Sequence, residues 1–285
     1  EGMSSYHGLA FDLARRFASG WQLRSSYTWS HLMDNSTSEV GSTFLTPRRA
    51  QDSQNLRPEW ATSMLDRRHR IVVSAIYETP WLKHSNNWFN RNVAAGWEVA
   101  PTYVYESPEY FTVQSGVDSN LNGDSAADRA WINPGGVAHT ASDVYGLDRN
   151  GNRISVSAPT AQVNQVVAWV ATNPNARYVR AGIGVLPTGG RNTEPTRPIN
   201  NVNLSLVKRV AIGERMRLEL MGQAFNLFNH PQSVPGFVNS ANSVVTAYTV
   251  GVKNYATAGN SAFGNADAAF SSNPRTLQLA AKFIW

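Results

Sequence analysis

The stretch Asp118-Ser119-Asn120-Leu121-Asn122-Gly123-Asp124-Ser125-Ala126-Ala127-Asp128 carries the residue types that bind a hard cation. Oxygen-bearing side chains stand at its first, third and fifth positions and glycine at its sixth, which is how a calcium loop opens. The glycine permits a sharp turn, and alternate side chains converge on one ion. Arg129 takes the place of the bidentate glutamate that closes such a loop, so closure falls to Asp128. Asp118, Asn120, Asn122, Asp124 and Asp128 are therefore the candidate calcium ligands. The alternative is a solvated Asn/Asp/Gly turn. Asp148-Arg149-Asn150-Gly151-Asn152 echoes the pattern more weakly and reads as a turn. Calcium is the one cofactor the sequence suggests.

Other chemistry is missing. The six histidines, His7, His31, His69, His84, His139 and His230, are dispersed and form no His-Glu-x-x-His motif. There is no Gly-x-Ser-x-Gly turn and no phosphate loop, and Gly182-Ile183-Gly184 lacks the next glycine of a dinucleotide motif. With no cysteine, thiol catalysis, cysteine zinc sites and disulfide scaffolds are excluded. The chain reads as a non-enzyme. Its net charge of +5 invites a nucleic-acid reading. The basic residues are scattered, however, as in Arg15-Arg16, Arg48-Arg49, Arg67-Arg68-Arg70 and Lys208-Arg209, without a block or a recognisable motif. Nucleic acid is not an expected partner.

What must position these residues is a set of strands. Of 285 residues, 16% are charged, well below the roughly 25% usual for a soluble domain, and the mean hydropathy is -0.34. No apolar run approaches the roughly 18 residues of a membrane helix. The dominant signal is alternation with period two, over 4–17, 21–31, 68–80, 94–106, 199–211, 215–229 and 275–285. One face of these strands is apolar: Leu9, Phe11, Ile71, Val73, Val99, Leu277 and Leu279 at odd positions, and Leu204, Leu206, Leu218 and Leu220 at even ones. The other face is small or polar, and Arg217 and Glu219 share it two residues apart, where they could enter an ion-pair ladder. The connections alternate in length. Those after strands one, three and five are short (18–20, 81–93 and 212–214), and those after strands two, four and six are long (32–67, 107–198 and 230–274).

Compact soluble domains rarely hold such long loops, whereas outer-membrane barrels combine short periplasmic turns with long extracellular ones. Aromatics fall into two groups along the strands: Trp21, Tyr77, Trp97, Phe283 and Trp285 at the short-turn side, and Tyr6, Tyr27, Trp29, Tyr103, Tyr105 and Phe228 at the long-loop side. Two aromatic belts around an aliphatic middle fit the two headgroup levels of a bilayer. The competing fold is a soluble β-sandwich with an aromatic core. The expected fold is all-β, an antiparallel transmembrane β-barrel segment with long extracellular loops, placed in the bacterial outer membrane and in contact with its lipid. Residues 1–285 form one partial barrel domain, and 107–198 a large extracellular loop region within it. Around Pro159-Thr160 a surface helix is expected to start, with Val163, Val166, Val167 and Val170 on one face and Trp169 alongside, although β-branched valines leave a strand as its competitor. Glu1-Gly2-Met3-Ser4-Ser5 carries no secretory signal, and seven strands are fewer than a single-chain barrel needs. The chain is thus expected to be a closing segment of a larger barrel.

Several stretches resemble the C-terminal part of TonB-dependent outer-membrane receptors of the Oar-like branch, which carry a carboxypeptidase-regulatory-like domain. They are Ser26-Tyr27-Thr28-Trp29-Ser30, Asp66-Arg67-Arg68-His69-Arg70, Gly96-Trp97, Phe225-Asn226-Leu227-Phe228-Asn229-His230-Pro231 and Asn273-Pro274-Arg275-Thr276-Leu277-Gln278-Leu279. The resemblance covers roughly 1–130 and 195–285. It implies a 22-stranded barrel around a plug domain, of which this chain supplies about the last third, and TonB as a partner through that plug. Transport would belong to the whole receptor, with an extracellular ligand bound by the loops. The alternation ending at Phe283 and Trp285 also resembles the C-terminal signal read by the barrel-assembly machinery. Two other functions stay open: a binding or adhesion barrel that transports nothing, and an outer-membrane barrel hydrolase.

Overall fold

The computed structural model describes residues 2–35, 50–80, 85–123, 125, 128–212, 216–232, 255–269 and 274–285. Seven long strands dominate it: β1 Ser4–Ala18, β2 Trp21–Asp34, β3 His69–Glu78, β4 Trp97–Glu106, β5 Ile199–Ile212, β6 Met216–Phe225 and β7 Thr276–Ile284. Each pairs antiparallel with the next in chain order, and a two-residue strand, Ala61–Thr62, adds to the loop end of β2. At about 3.3 Å per residue, ten residues reach about 33 Å, enough to cross an apolar band of about 25 Å with a tilt. The described helices are single turns, and no described helix is long and apolar enough to cross a membrane.

The strands lie where the alternation puts them, and their ends have local causes. The β1–β2 turn is Ser19-Gly20, both at positive φ (53° and 83°), as a two-residue hairpin of right-handed twist requires. A Cβ on Gly20 would also stand 2.8 Å from the Glu78 carbonyl oxygen. The sixth strand stops at Phe225, short of the expected residue 229, because Asn226 turns into the left-handed region at φ 52°. Its side chain then closes a clamp. Asn226 Oδ1 accepts from His230 N at 2.9 Å, and its Nδ2 donates to the His230 carbonyl at 2.8 Å. Asn226 N donates to Asn203 Oδ1 at 2.9 Å, and Arg275 N to Asn229 Oδ1, also at 2.9 Å. The Phe-Asn-Leu-Phe-Asn-His-Pro run thus ties the start of a long loop to β5 and β7. A second clamp stands across the sheet, where buried Asp66 accepts from Leu32 N at 2.7 Å and Ser30 N donates to the Arg68 carbonyl at 3.1 Å.

The long connections carry structure of their own. Val144–Leu147 pairs with Arg153–Ser155 and with Ala168–Ala171, while Ala176–Val179 lies between Trp131–Ile132 and Val137–Ser142. The helix expected from Pro159 onward is corrected: it is one turn, Thr160–Val163, and Trp169 and Val170 belong to the strand Ala168–Ala171. The β-branched run takes a ready strand edge over a poor helix. Trp169 lies against Gly182, where a Cβ would come 2.2 Å from the indole. Among the described residues one contiguous buried apolar cluster joins Met64 of the β2–β3 connection, Phe111, Val113, Ala130 and Tyr178 of the β4–β5 connection, and Tyr255, Ala256, Ala258 and Ala266 of the β6–β7 connection. Among the described residues the apolar core lies in the long connections. Burial pushes the phenols of Tyr178 and Tyr255 up to about 12, so both are neutral there.

Asn226→Ala removes the side-chain bonds to His230 and the left-handed preference together. It is expected to lower unfolding stability in lipid vesicles by about 1–3 kcal/mol, read from the urea midpoint at constant m-value.

Candidate functional site

Cross-strand partners share a face, so the register settles which residues stand together. Leu9 faces Trp29 and Phe11 faces Tyr27; Tyr27 faces Ile71, which faces Tyr105. Val73 faces Tyr103, Val99 faces Leu206, and Leu204 stands opposite Pro101 and Ala224. Leu218 faces Phe283, while Gly222 and Ala224 face Leu279 and Leu277. Every residue assigned to lipid from the sequence therefore lies on one face of the sheet, Leu220 included. None is buried: Phe11 is 58%, Leu277 68% and Leu279 86% exposed. A β-sandwich would turn this face into a core; here it is open.

Both ends of the face carry aromatics. Trp21 and Trp97 lie at the short-turn end with Phe283 and Trp285, whose rings stack 6.1 Å apart. At the loop end Phe11, Tyr27 and His69 stack across three strands, and the Tyr27 hydroxyl meets His69 Nδ1 at 2.9 Å. One aromatic is corrected: Tyr6 pairs with Leu32 on the opposite, interior face, its ring lying across Gly8. Phe228 stands beyond the strand, in the Asn226–His230 turn. Two cations that sequence reading left unplaced also stand on the outer face. The Arg15 guanidinium lies 3.7 Å from the Trp21 ring centre, and Lys208 Nζ lies 5.4 Å from that of Trp97 while donating to the Ala95 carbonyl. Both are at the short-turn end, where an interfacial Trp and a long basic side chain can serve one headgroup level.

The interior face is mainly polar or small, with Ser26, Thr28, Ser74, Thr102, Asn203, Ser205, Gln223 and Gln278 in register and Val72, Ile76, Val104, Val207 and Met221 among them. Arg209 is its hub. Its guanidinium bonds Glu98 at 2.6 Å, Glu219 at 3.1 Å and Glu78 at 3.5 Å, crossing four strands. Glu219 thus joins a ladder as expected, through Arg209 across the strands, and Arg217 stands on the same face opposite Ala211. At the loop end Arg70 bonds Glu106 at 2.9 Å. No periodicity could have singled out Arg209, because its partners come from three other strands.

Above the rim, buried ion pairs fasten the loops to the sheet. Arg191 pairs with Asp34 at the end of β2 and donates to the Glu59 carbonyl at 3.0 Å; Arg129 pairs with Glu59. Both arginines are buried. Such pairs cost desolvation, so their clearest effect is to define one position for the cap over the rim. Beside them is a polar cleft of about 680 Å³, lined by Gln51, Asp52, Gln54, Asn120 and Asn122 among others.

The 118–128 loop borders that cleft. Asp118 accepts from Asn122 N at 3.0 Å and Gly123 N at 2.8 Å, Asn120 Oδ1 accepts from Asn122 N at 3.1 Å, and Asn120 Nδ2 donates to the Gln51 carbonyl at 3.0 Å. Asp128 is fully buried and accepts from Ser119 N at 2.6 Å. Its carboxyl is raised above the usual carboxylate range by burial first, and also by the nearby Asp118 charge, against hydrogen bonding at Ser119 and Asn120. Asp124 lies outside the described residues. Among the described residues no group of three or more His, Cys, Asp or Glu side chains is placed to hold a metal ion. Asp148 is a turn, as expected: it accepts from Asn150 N and Asn152 N, each at 2.8 Å, and the Asn152 amide holds its carboxyl below the ordinary value.

Leu206→Arg should destabilise the folded chain in a bilayer by about 2–4 kcal/mol, the cost of a midplane arginine on the lipid face. Ser205→Arg, one residue away on the interior face, should fold as the unsubstituted chain does. The check is the folded fraction on a cold gel after vesicle reconstitution. Equal effects at the two positions would refute the facing.

No curated protein matches the chain. A family model described as outer membrane beta barrel domain matches residues 1–278. With an open apolar face, aromatics at both ends and a polar interior, the chain belongs to this outer membrane beta barrel family, in the bacterial outer membrane.

Proposed function

We propose that the chain forms part of the wall and the ligand-binding cap of an outer-membrane receptor that imports its ligand, of the TonB-dependent, Oar-like type. The observation that carries this reading is the shared core of the three long connections. Loops that only joined strands would not need a common buried cluster, and this one draws residues from all three. A rigid cap with a polar cleft is a scaffold for recognition, since binding residues on loops need a fixed frame. The motifs shared with that receptor type also have structural work here. Asp66–Arg70 and Phe225–Pro231 clamp the loop ends to the wall.

Among the described residues β1 and β7 are the outer strands of the sheet, each with one side unpaired. In hydrocarbon those edges must meet further strands, so the wall closes only with more strands than these. In this reading a plug fills the lumen against the polar interior face and connects to TonB, and Phe283 and Trp285 also serve the assembly machinery.

The intact receptor in its own outer membrane, carrying a photo-crosslinking residue in place of Ser74 or Thr102, tests this. An intramolecular crosslink from the interior face to an N-terminal plug is expected. A lumen that gives no such product and conducts ions steadily would leave a barrel that binds at the surface and imports nothing.

A further inference from the structure

On the outer face β6 lies lower than its neighbours. Gly222 stands between Leu206 and Leu279, and Ala224 between Leu204 and Leu277, so β6 presents little side chain where β5 and β7 present leucines. The result is a trough along the strand. Toward the short-turn end it opens into a groove of about 840 Å³, lined by Leu206, Leu220, Gly222, Leu279, Trp97 and Lys208 among others. The connection before β4 closes that end. It folds back against the outer face as a single π-helical turn, Asn90–Ala94, held by Trp97 Nε1 donating to the Val93 carbonyl at 2.9 Å. Trp88 and Phe89 stay exposed on this connection, as rings at a headgroup level do. Lys208 is the anomaly. It is only 7% exposed, and its bond to the Ala95 carbonyl leaves two of three ammonium hydrogens for other acceptors. Among the described residues no carboxylate pairs with it. The carboxylates of this end, Glu78, Glu98 and Glu219, are gathered on the interior face by Arg209.

We propose that this groove binds one anionic glycerophospholipid of the periplasmic leaflet, with an acyl chain in the trough between β5 and β7 and the phosphate on Lys208. A buried cation is costly without a counter-charge. A phosphodiester supplies that charge, together with acceptor oxygens, at the level where Trp97 stands among headgroups. The trough runs from this level toward the middle of the apolar band, which is the direction an acyl chain takes. A net anionic headgroup neutralises the single charge of Lys208, whereas a zwitterionic one brings an ammonium of its own. The site therefore selects phosphatidylglycerol over phosphatidylcholine. It goes beyond general contact with lipid, and it holds whether or not the barrel imports a ligand.

The test is native mass spectrometry of the intact barrel protein in detergent, stripped of lipid and titrated with phosphatidylglycerol or phosphatidylcholine. One phosphatidylglycerol is expected to bind about five-fold tighter than the first phosphatidylcholine, the factor that one basic residue at a headgroup level contributes. Lys208→Gln should weaken phosphatidylglycerol by about five-fold and remove the preference, and Lys208→Arg should retain most of it. Gly222→Leu should weaken both lipids by filling the trough. Its Cβ would stand 3.6 Å from Leu279 Cδ2, an ordinary contact, so the fold accommodates it. Arg15→Gln, which removes the cation over Trp21 on β1 at the far side of the sheet, should change nothing. If Lys208→Gln fails to fold, Gly222→Leu and the lipid preference of the unsubstituted protein carry the comparison. Equal affinity for the two lipids in the unsubstituted protein would overturn the proposal and leave bulk lipid contact only. So would phosphatidylglycerol binding that neither Lys208→Gln nor Gly222→Leu alters. A dimer that phosphatidylglycerol does not dissociate and Gly222→Leu abolishes would also overturn it, giving the groove to a second copy.

Discussion

A backbone amide inside hydrocarbon has no water to turn to, and each one left unpaired costs several kcal/mol. The sheet is the answer to that constraint, and most other features follow from it. Each of the inner long strands is bonded on both sides by its sequence neighbours. Strand pairing settles the backbone, so side chains are free to follow their surroundings, alternating between lipid and lumen. The usual logic of a folded domain is then inverted. Leu279, Phe11 and Leu277 are displayed, while Ser205 and Gln223 face inward. Apolar burial, the main favourable term in a water-soluble fold, is left to the part outside the membrane, where Phe111, Tyr178 and Tyr255 gather.

The two ends of the sheet meet different solvents. Short turns such as Ser19-Gly20 close one end with little chain, and Arg15 and Lys208 lie there over tryptophan rings. The other end faces water, where a long loop can fold only by burying surface of its own. Single connections supply too little, and three together supply one core. Buried pairs such as Arg191 with Asp34 and Arg129 with Glu59 then define where the cap sits on the rim. Asn226 and Asp66 perform the same task at the points where chain leaves and re-enters the wall.

The strands were legible because period two is a local signal repeated over ten or more residues, whereas their register was not, since a slip of two residues leaves every face unchanged. The faces of most residues came with the alternation. Tyr6 was misplaced because an aromatic suits either a belt or a lumen, and only its pairing with Leu32 decides. The valines after Pro159 fit two periods, and the nearby edge of Val144–Leu147, invisible in the local pattern, chose the strand. Arg209 could not be read as a hub, since Glu78 and Glu98 lie more than a hundred residues away. The cap core was likewise hidden, being spread over Met64, Phe111 and Tyr255. Residue types at 118–128 suggested a cation, while the full burial of Ser119 and Asp128 emerges only on folding.

The central claim is that alternate residues of one strand face lipid and lumen. With no native cysteine to remove, single nitroxide labels can be placed at each position of 202–210 in the bilayer-inserted protein. Collision rates with oxygen and with a water-soluble nickel chelate then report the surroundings of each label. The account expects oxygen maxima at Val202, Leu204, Leu206 and Val210 and nickel maxima at Asn203, Ser205 and Arg209, in antiphase with period two. A flat profile, or one with the two quenchers in phase, would contradict it.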